Sequence, residues 1–172
     1  KDTLIKDSQG MKYPEIFDFL QKYQDKICVR LHTGDTSIYS TIAKQIEFLD
    51  TQNIQYQVIP GVSAAFGAAA SLGIEYTIPG VSQTVVLSRV EGKTLNPEKL
   101  ENILSLKNSS LVFYLSILLL KKLKQKALQM GYSPDTPCWV IEKATWQDEK
   151  IYKGTISNIA DQVSHIKGVA LI

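Results

Sequence analysis

The sequence has 172 residues, of which 44% are hydrophobic and 21% are charged, and its formal net charge is +2. This balance is typical of a globular protein and excludes a disordered one, while the mild, evenly spread charge excludes nucleic acid as an expected partner. The two cysteines, Cys28 and Cys138, lie in apolar runs without a CxxC or Cys/His cluster, which predicts buried free thiols, a reducing compartment and no metal site.

In the first half of the chain, helix and strand patterns alternate. Apolar residues at helical or strand spacing predict three helices and two strands, in the order helix 15–23, strand 26–31, helix 37–50, strand 55–59 and helix 64–71. Such alternation is typical of parallel strands joined by crossover helices. The first half is therefore predicted to form a lobe with a mostly parallel sheet.

The second half mixes a hairpin into this rhythm. The predicted elements, in chain order, are strand 83–89, helix 97–107, strand 110–115, helix 117–130, strands 137–143 and 150–155, helix 156–166 and strand 168–172. The hairpin predicts a mixed sheet. The alternation of helices and strands predicts the α/β fold class. It is interrupted at the turn-forming segment Ile78-Pro79-Gly80, which predicts two lobes, 1–79 and 80–172.

The sequence predicts a cytoplasmic protein without a membrane partner. It opens Lys-Asp-Thr-Leu-Ile-Lys, which does not have the pattern of a signal peptide. The longest apolar run, 111–120, is broken by Tyr114 and Ser116 and is too short to span a bilayer.

Two glycine-bearing turns follow the two strands of the first half. Thr33-Gly34-Asp35 ends the first strand, where a ligand can approach Gly34 and the Asp35 carboxylate, although Asp35 could instead cap the next helix. Residues 60–65, Pro-Gly-Val-Ser-Ala-Ala, repeat this pattern, with close packing of the small-residue helix as the alternative. Together the two turns predict one crevice for a nucleoside-type cofactor.

The residues in these turns also carry a family resemblance. In order, segments 31–39, 60–63, 81–84, 89–94 and 144–146 resemble the tetrapyrrole methylases. The segments at 31–35, 89–92 and 144–146 are most similar to the family members that methylate C-11 of precorrin-4 or cobalt-precorrin-4 in cobalamin biosynthesis. The resemblance implies a two-lobed tetrapyrrole methylase-like fold and a homodimer.

The resemblance implies that S-adenosylmethionine binds in the cleft between the lobes, leaving S-adenosylhomocysteine as product. The residues that match cofactor-binding positions of the family are Thr33, Gly34, Asp35, Ile38, Ser63, Ala64, Leu115, Ala144 and Ala170. Thr36 stands where the family usually has proline, which loosens the turn without removing a ligand. The family's opening strand and its Gly-x-Gly-Pro-Gly loop are not found before Asp7, so we expect a first strand–loop segment to be absent.

The implied substrate is a tetrapyrrole with many carboxylates, which favours basic residues. The candidate substrate-binding residues are Arg89, Glu91, Lys93 and His32, with an ordinary charged loop, or packing for His32, as the alternative. Tyr39 and Trp146 fit a packing role as well as a ligand role. The lysines between 121 and 126 are interpreted as a solvated helix face.

The implied reaction is an in-line displacement in which a ring carbon attacks a sulfonium methyl, so the protein mainly aligns the two partners and excludes water. No general base is assigned. The alternatives are a sister methylase acting on another ring carbon, and a catalytically incomplete fragment that binds cofactor or dimerises.

Overall fold

The computed structural model describes residues 3–92 and 97–172. The chain forms two compact units, Lys1–Ser63 and Ala64–Ile172. We call them unit 1 and unit 2. The domain boundary predicted from the sequence lies between residues 79 and 80. It separates the two predicted lobes, which are not defined in the same way as these compact units, and it stays a prediction.

Unit 1 consists of two helices and irregular segments. The helices are α1 (Tyr13–Lys22) and α2 (Ile42–Thr51). Pro14 lies in the first turn of α1, where its missing N–H costs nothing, and the Lys12 N–H donates to Glu15 Oε2 at 2.8 Å. The ring of Phe17 stacks on that of Phe48 from α2 with centroids 4.3 Å apart. Ile16 is the one buried apolar side chain among residues 3–63.

The parallel sheet predicted for the first half is not formed in unit 1. Residues 26–31 and 55–59 are irregular, and no strand is present within residues 3–63. A strand persists only when a neighbour pairs with its backbone, and neither segment has such a neighbour in this unit. The apolar side chains of the first segment are consequently exposed: Ile27 by 97%, Val29 by 77% and Leu31 by 84%. Cys28 is exposed for the same reason, which corrects the prediction that its thiol is buried.

Unit 2 contains five strands. They are β1 (Thr84–Ser88), β2 (Ser109–Phe113), β3 (Pro137–Glu142), β4 (Lys150–Thr155) and β5 (Ala170–Leu171). β1 and β2 are parallel, and β3 is antiparallel to both β4 and β5. Phe113 and Ile172 exchange two backbone hydrogen bonds of 2.9 and 3.2 Å, which link the two groups of strands. The prediction of an α/β fold with a mixed C-terminal sheet is confirmed.

The helices of unit 2 are α3 (Ala64–Leu72), α4 (Leu100–Ser105), α5 (Leu120–Gln129) and α6 (Ile159–Gln162). A 3-10 turn, Ile117–Leu119, leads into α5. Apolar residues of α4, α5 and α6 pack against one face of the sheet in a single buried cluster that includes Ile103, Leu104, Phe113, Leu123, Val140 and Ile159. Unit 2 therefore has a closed core of its own.

None of the helices in the described ranges combines the length and the apolar character that crossing a bilayer requires. Within the same ranges, His, Cys, Asp and Glu side chains nowhere gather into a group of three suited to a metal ion.

Candidate functional site

The first glycine-bearing turn is organised by a carboxylate. Asp35 Oδ1 accepts hydrogen bonds from the Ser37 N–H at 2.8 Å and from the Ser37 hydroxyl, and Oδ2 accepts from the Gly61 N–H at 2.8 Å. The Ser37 hydroxyl, followed by the backbone N–H groups of Ser37 and Gly61, lowers the pKa of Asp35. Asp35 does not cap α2, which begins later, at Ile42, after Thr41 in the N-cap position.

The same hydrogen bond joins the two predicted turns. Gly34 has φ of 73°, a left-handed conformation that suits glycine. A Cβ atom at Gly61 would lie 2.2 Å from the carbonyl oxygen of Gly34, so no larger residue fits at position 61 without moving the backbone. Unit 1 thus brings the Gly34-Asp35 turn and the Pro60-Gly61 turn into direct contact, as the two motifs predict.

The remaining predicted residues of unit 1 lie close in the sequence to one or other of these two turns. Thr33 is exposed, Ile38 is half-buried and Ser63 is buried. His32 is half-buried; burial and then the nearby Arg30 charge lower its pKa, partly opposed by a hydrogen bond with the Ser40 backbone. His32 therefore favours its neutral form in the folded protein.

In unit 2, the start of α3 is fixed by two tyrosines. The Ala65 N–H donates to the hydroxyl oxygen of Tyr114 at 3.3 Å, and the hydroxyl of Tyr76 donates to the carbonyl oxygen of Ala65 at 2.7 Å. Tyr114 follows β2 directly. The start of α3, which carries the predicted residue Ala64, is thereby tied to the end of β2, which carries the predicted residue Leu115.

Leu115 has an unusual conformation. Its φ is 53°, in the left-handed region that a branched apolar side chain rarely adopts, and its side chain is 71% exposed. Such strain persists only where neighbouring contacts impose it, and it is found frequently at ligand sites. Leu115 therefore presents an apolar side chain at the carboxyl end of a parallel strand, where α/β folds bind ligands.

Ser116 imposes this conformation. Its side chain is fully buried, and its hydroxyl accepts from the Val90 N–H and donates to the carbonyl oxygen of Tyr114, both at 2.7 Å. Through Ser116, the segment with the predicted substrate residues Arg89 and Glu91 is attached to the end of β2. Arg89 is half-buried and Glu91 is exposed, whereas Lys93 lies outside the described residues.

The hairpin between β3 and β4 carries the third group of predicted residues. Ala144 lies between Lys143 and Thr145, which both have positive φ, 52° and 68°. Ala170 in β5 pairs with Glu142, and the Lys143 N–H donates to the Val169 carbonyl oxygen at 3.0 Å. The sheet therefore brings Ala144 and Ala170 to the same end of β3.

Glu149 fastens this hairpin to α3. Its Oε2 accepts hydrogen bonds from the Thr145 N–H at 2.5 Å and from the Ser71 hydroxyl at 2.8 Å. A Cβ atom at Gly67 would lie 2.8 Å from Thr145 Cγ2, so glycine in α3 allows this close approach. Trp146 is 52% exposed on the same hairpin, with Lys143 Nζ 5.9 Å from its ring centroid.

Three of these anchoring residues, Tyr114, Ser116 and Glu149, are not among the residues predicted from the sequence. The one available signal is that Tyr114 and Ser116 interrupt the apolar run 111–120. A buried hydroxyl in such a run must find hydrogen-bond partners, but the sequence does not indicate which ones. Glu149 gives no signal, because its partner in α3, Ser71, is 78 residues away in the chain.

A family model and several relatives match this chain. The model of the Tetrapyrrole (Corrin/Porphyrin) Methylases matches residues 3–160. The cobalt-precorrin-4 C(11)-methyltransferase of Methanocaldococcus jannaschii is 43% identical over 178 aligned residues, covering 100% of this chain and 68% of that protein. The enzyme of the same description from Priestia megaterium is 40% identical, covering 80% of this chain and 54% of that protein.

Solved structures of methyltransferases are also similar to this chain. The X-ray structure of a cobalt-precorrin-4 methyltransferase has a TM-score of 0.88 and 36% sequence identity, covering 94% of this chain and 70% of that one. The uroporphyrin-III C-methyl transferase of Thermus thermophilus, complexed with S-adenyl homocysteine, has a TM-score of 0.74 over 94% of this chain and 72% of that one. At 20% identity, the second likeness concerns the fold alone.

Proposed function

The chain belongs to the tetrapyrrole (corrin/porphyrin) methylase family, and on this premise we propose that it serves the methylation of C-11 of precorrin-4 or cobalt-precorrin-4 in cobalamin biosynthesis, with S-adenosylmethionine as methyl donor. The observation that carries this proposal is the 43% identity, over the whole chain, to a relative named for that reaction. The alternative is a sister reaction on another ring carbon. It is less well supported than C-11 methylation, because a relative with a different name, siroheme synthase, is 32% identical over 81% of this chain.

The residues present fit S-adenosylmethionine. In unit 1, the Gly34-Asp35 turn and the Gly61 turn form a compact backbone surface beside an ionised carboxylate, which suits the methionine end. In unit 2, the small side chains of Ala64, Ala144 and Ala170 would leave room for the cofactor, and the exposed side chain of Leu115 would suit an apolar contact with the adenosine. We assign the cofactor roles of Thr33, Ile38 and Ser63 on the family resemblance.

When bound, S-adenosylmethionine supplies a methyl group on a sulfonium, which is already reactive toward a carbon nucleophile. The protein residues therefore need to hold and orient the methyl donor and the substrate, and to exclude water from them. The hydrogen bond between Asp35 and Gly61 holds two turns in one geometry, and Ser116 holds Leu115 in a conformation that leucine rarely adopts. Neutral glycines and alanines allow close approach without competing as nucleophiles.

The tetrapyrrole substrate is assigned to the segment that Ser116 attaches to β2. Arg89 and Lys93 would pair with substrate carboxylates, Glu91 would accept a hydrogen bond, and His32, which favours its neutral form, would donate or accept one. We extend the proposal to a homodimer, on the family resemblance, and to a cytoplasmic location. Sedimentation of the purified chain would test the homodimer.

Calorimetric titration with S-adenosylhomocysteine tests the cofactor part of the proposal. We expect saturable binding near one site per chain, and binding weakened by at least tenfold in Asp35→Ala, because that change frees Gly61 and removes the carboxylate. Asp50→Ala, which removes an exposed carboxylate near the end of α2, is the matched control. Absence of binding by the folded chain would contradict the cofactor part and favour a fragment that lacks a complete cleft.

Product mapping tests the reaction. Incubation with S-adenosylmethionine and precorrin-4 or its cobalt form should give a product methylated at C-11. Methylation at another ring carbon would identify the sister reaction instead. Binding of S-adenosylhomocysteine without any transfer would contradict the catalytic part of the proposal while leaving the cofactor part intact.

A further inference from the structure

Ala144 lies in a tight turn with an unusual conformation. The Trp146 N–H donates to the Lys143 carbonyl oxygen at 2.9 Å, which closes a four-residue turn over residues 143–146. Thr145, the third residue of this turn, has φ of 68°, whereas Ala144, the second, does not have a positive φ. This combination is typical of a type II turn, in which the third residue is usually glycine or asparagine. Threonine therefore occupies a position that suits it poorly.

A threonine at this position favours the other common turn. Type I and type II turns differ mainly in the orientation of the middle peptide, and the third residue of a type I turn has the negative φ that a β-branched residue prefers. The middle peptide here joins Ala144 to Thr145. Because a trans peptide is planar, its carbonyl and its N–H point in opposite directions. A change of turn type would therefore reverse both the Ala144 carbonyl and the Thr145 N–H.

The carboxylate of Glu149 selects between these two orientations. Its Oε2 accepts from the Thr145 N–H at 2.5 Å, so the middle peptide keeps its N–H toward Glu149 and its carbonyl away from it. The same oxygen accepts from the Ser71 hydroxyl at 2.8 Å, which fixes the carboxylate against α3. On α3, Gly67 leaves room for the methyl group of Thr145. Together these contacts impose a positive φ that threonine rarely adopts.

The backbone of Ala144 is what this turn leaves available. Its N–H and its carbonyl oxygen have no hydrogen-bond partner in the part of the chain that the structure describes, and the residue is half-buried. A backbone donor and acceptor on one residue can bind the edge of a nucleobase, which also offers a donor beside an acceptor. Whether the Ala144 carbonyl takes part depends on the orientation of the middle peptide, and hence on Glu149.

We propose that Glu149 is a positioning residue for the methyl donor: it holds the middle peptide of turn 143–146 in the orientation in which the Ala144 backbone binds the cofactor. This inference rests on the proposed function, which places Ala144 beside S-adenosylmethionine. Glu149 acts through the turn and does not need to touch the cofactor. It strengthens binding because the turn already has the binding conformation before the cofactor arrives.

Calorimetric titration with S-adenosylhomocysteine separates this role from a purely structural one. Glu149→Ala should weaken binding by about tenfold or more, because the middle peptide is then free to reverse. Glu149→Gln keeps a carbonyl oxygen that can accept both hydrogen bonds, so its affinity should stay within about threefold of that of the original chain. Asp148→Ala is the matched control. It removes a neighbouring exposed carboxylate, which pairs with Lys143, and should leave the affinity unchanged.

A second substitution tests the turn itself. In the Glu149→Ala background, Thr145→Gly supplies a residue that adopts a positive φ without steric cost, so it should recover at least about threefold of the lost affinity. A role in stability alone predicts no recovery, since glycine adds freedom to the unfolded chain. The thermal midpoint of Glu149→Ala should fall by no more than about 4 °C, because Thr145 and Ser71 are exposed and their freed donors can bind water.

The outcomes distinguish failure of this inference from failure of the proposed function. Absence of S-adenosylhomocysteine binding by the original chain would contradict both. Equal binding by the original chain and by Glu149→Ala would overturn the inference and leave the cofactor part of the proposed function intact. Weak binding by Glu149→Gln, or no recovery with Thr145→Gly, would show that Glu149 does not act through the turn. Loss of the folded circular dichroism signal in Glu149→Ala would assign it a structural role instead.

Discussion

Units 1 and 2 carry similar apolar patterns but use them differently. In unit 2, strands such as β2 have neighbours on their pairing edges, and residues such as Val112 and Phe113 are buried to 4% exposure. In unit 1, Ile27 and Val29 lie in a pattern that predicts a strand equally well, yet both are exposed. An apolar strand pattern therefore shows that a segment needs a partner strand. Whether its side chains become buried depends on which strands are available to pair with it.

The largest effect is expected from truncating the same residue type in each unit. Ile103→Ala removes a side chain from the closed core of unit 2 and should lower the free energy of unfolding by about 2–5 kcal/mol. Ile16→Ala removes the buried apolar residue of unit 1 and should leave the main unfolding transition unchanged while speeding amide exchange in α1 and α2. Urea denaturation and hydrogen exchange measure the two effects. Equal losses of global stability would contradict the comparison.

Ser116→Ala tests whether the buried hydrogen bonds of Ser116 in unit 2 also support cofactor binding. The change leaves the Val90 N–H and the Tyr114 carbonyl without their buried partner, at a cost of about 1–3 kcal/mol. Leu115 should then relax from its positive φ, so S-adenosylhomocysteine binding should weaken as well. Ser105→Ala, which removes an exposed hydroxyl bonded to the Asn102 carbonyl, is the control. A destabilised variant with unchanged binding would show that Ser116 has a packing role only.

Gly61→Ala tests the contact between the two glycine-bearing turns of unit 1. The added methyl group would meet the Gly34 carbonyl oxygen, so the two turns must separate and Asp35 loses a donor. We expect at least about a tenfold loss of S-adenosylhomocysteine affinity by calorimetry, because the two turns would no longer hold one geometry. In Gly168→Ala the methyl group meets nothing within 4 Å, so affinity should not change. Unchanged affinity in Gly61→Ala would remove these turns from the cofactor site.

The smallest effect is a pH dependence confined to unit 1. The pKa of His32 is lowered in the folded chain, so the unfolded chain binds the proton more tightly. The stabilisation is therefore complete above the ordinary histidine pKa of about 6.5 and is lost as the pH falls below it. Hydrogen exchange of α1 and α2 at pH 7.5 and pH 5.5 should show this loss, and His32→Gln should abolish it. His165→Gln, in unit 2, is the control. A step that persists in His32→Gln would assign it to another group.

Local signals predicted most of unit 2 because its elements are regular over several residues. The strand predicted at 150–155 matches β4, and the helix predicted at 117–130 is observed as the 3-10 turn followed by α5. The contact between the two glycine-bearing turns was also predictable, since each turn ends a consecutive strand pattern. Ser116 and Glu149 were not, because their roles depend on partners 26 and 78 residues away in the chain.

The failure at residues 26–31 has a physical cause of a different kind. The residues themselves favour a strand, but a strand is a property of a pair, and a single-segment pattern does not report its partner. The cofactor and substrate roles of the predicted residues stay predictions, which the titrations and product mapping above would test.

The pairing of Phe113 with Ile172 has a consequence for the order of events during synthesis. β1, β2 and the helices beside them leave the ribosome well before residues 170–172, which bridge β2 and β3 in the finished sheet. Because this bridge joins segments far apart in the chain, its closure is slow relative to the helices and waits for translation to pass residue 172. Until then, the nascent chain exposes two unpaired strand edges, at which another chain can pair.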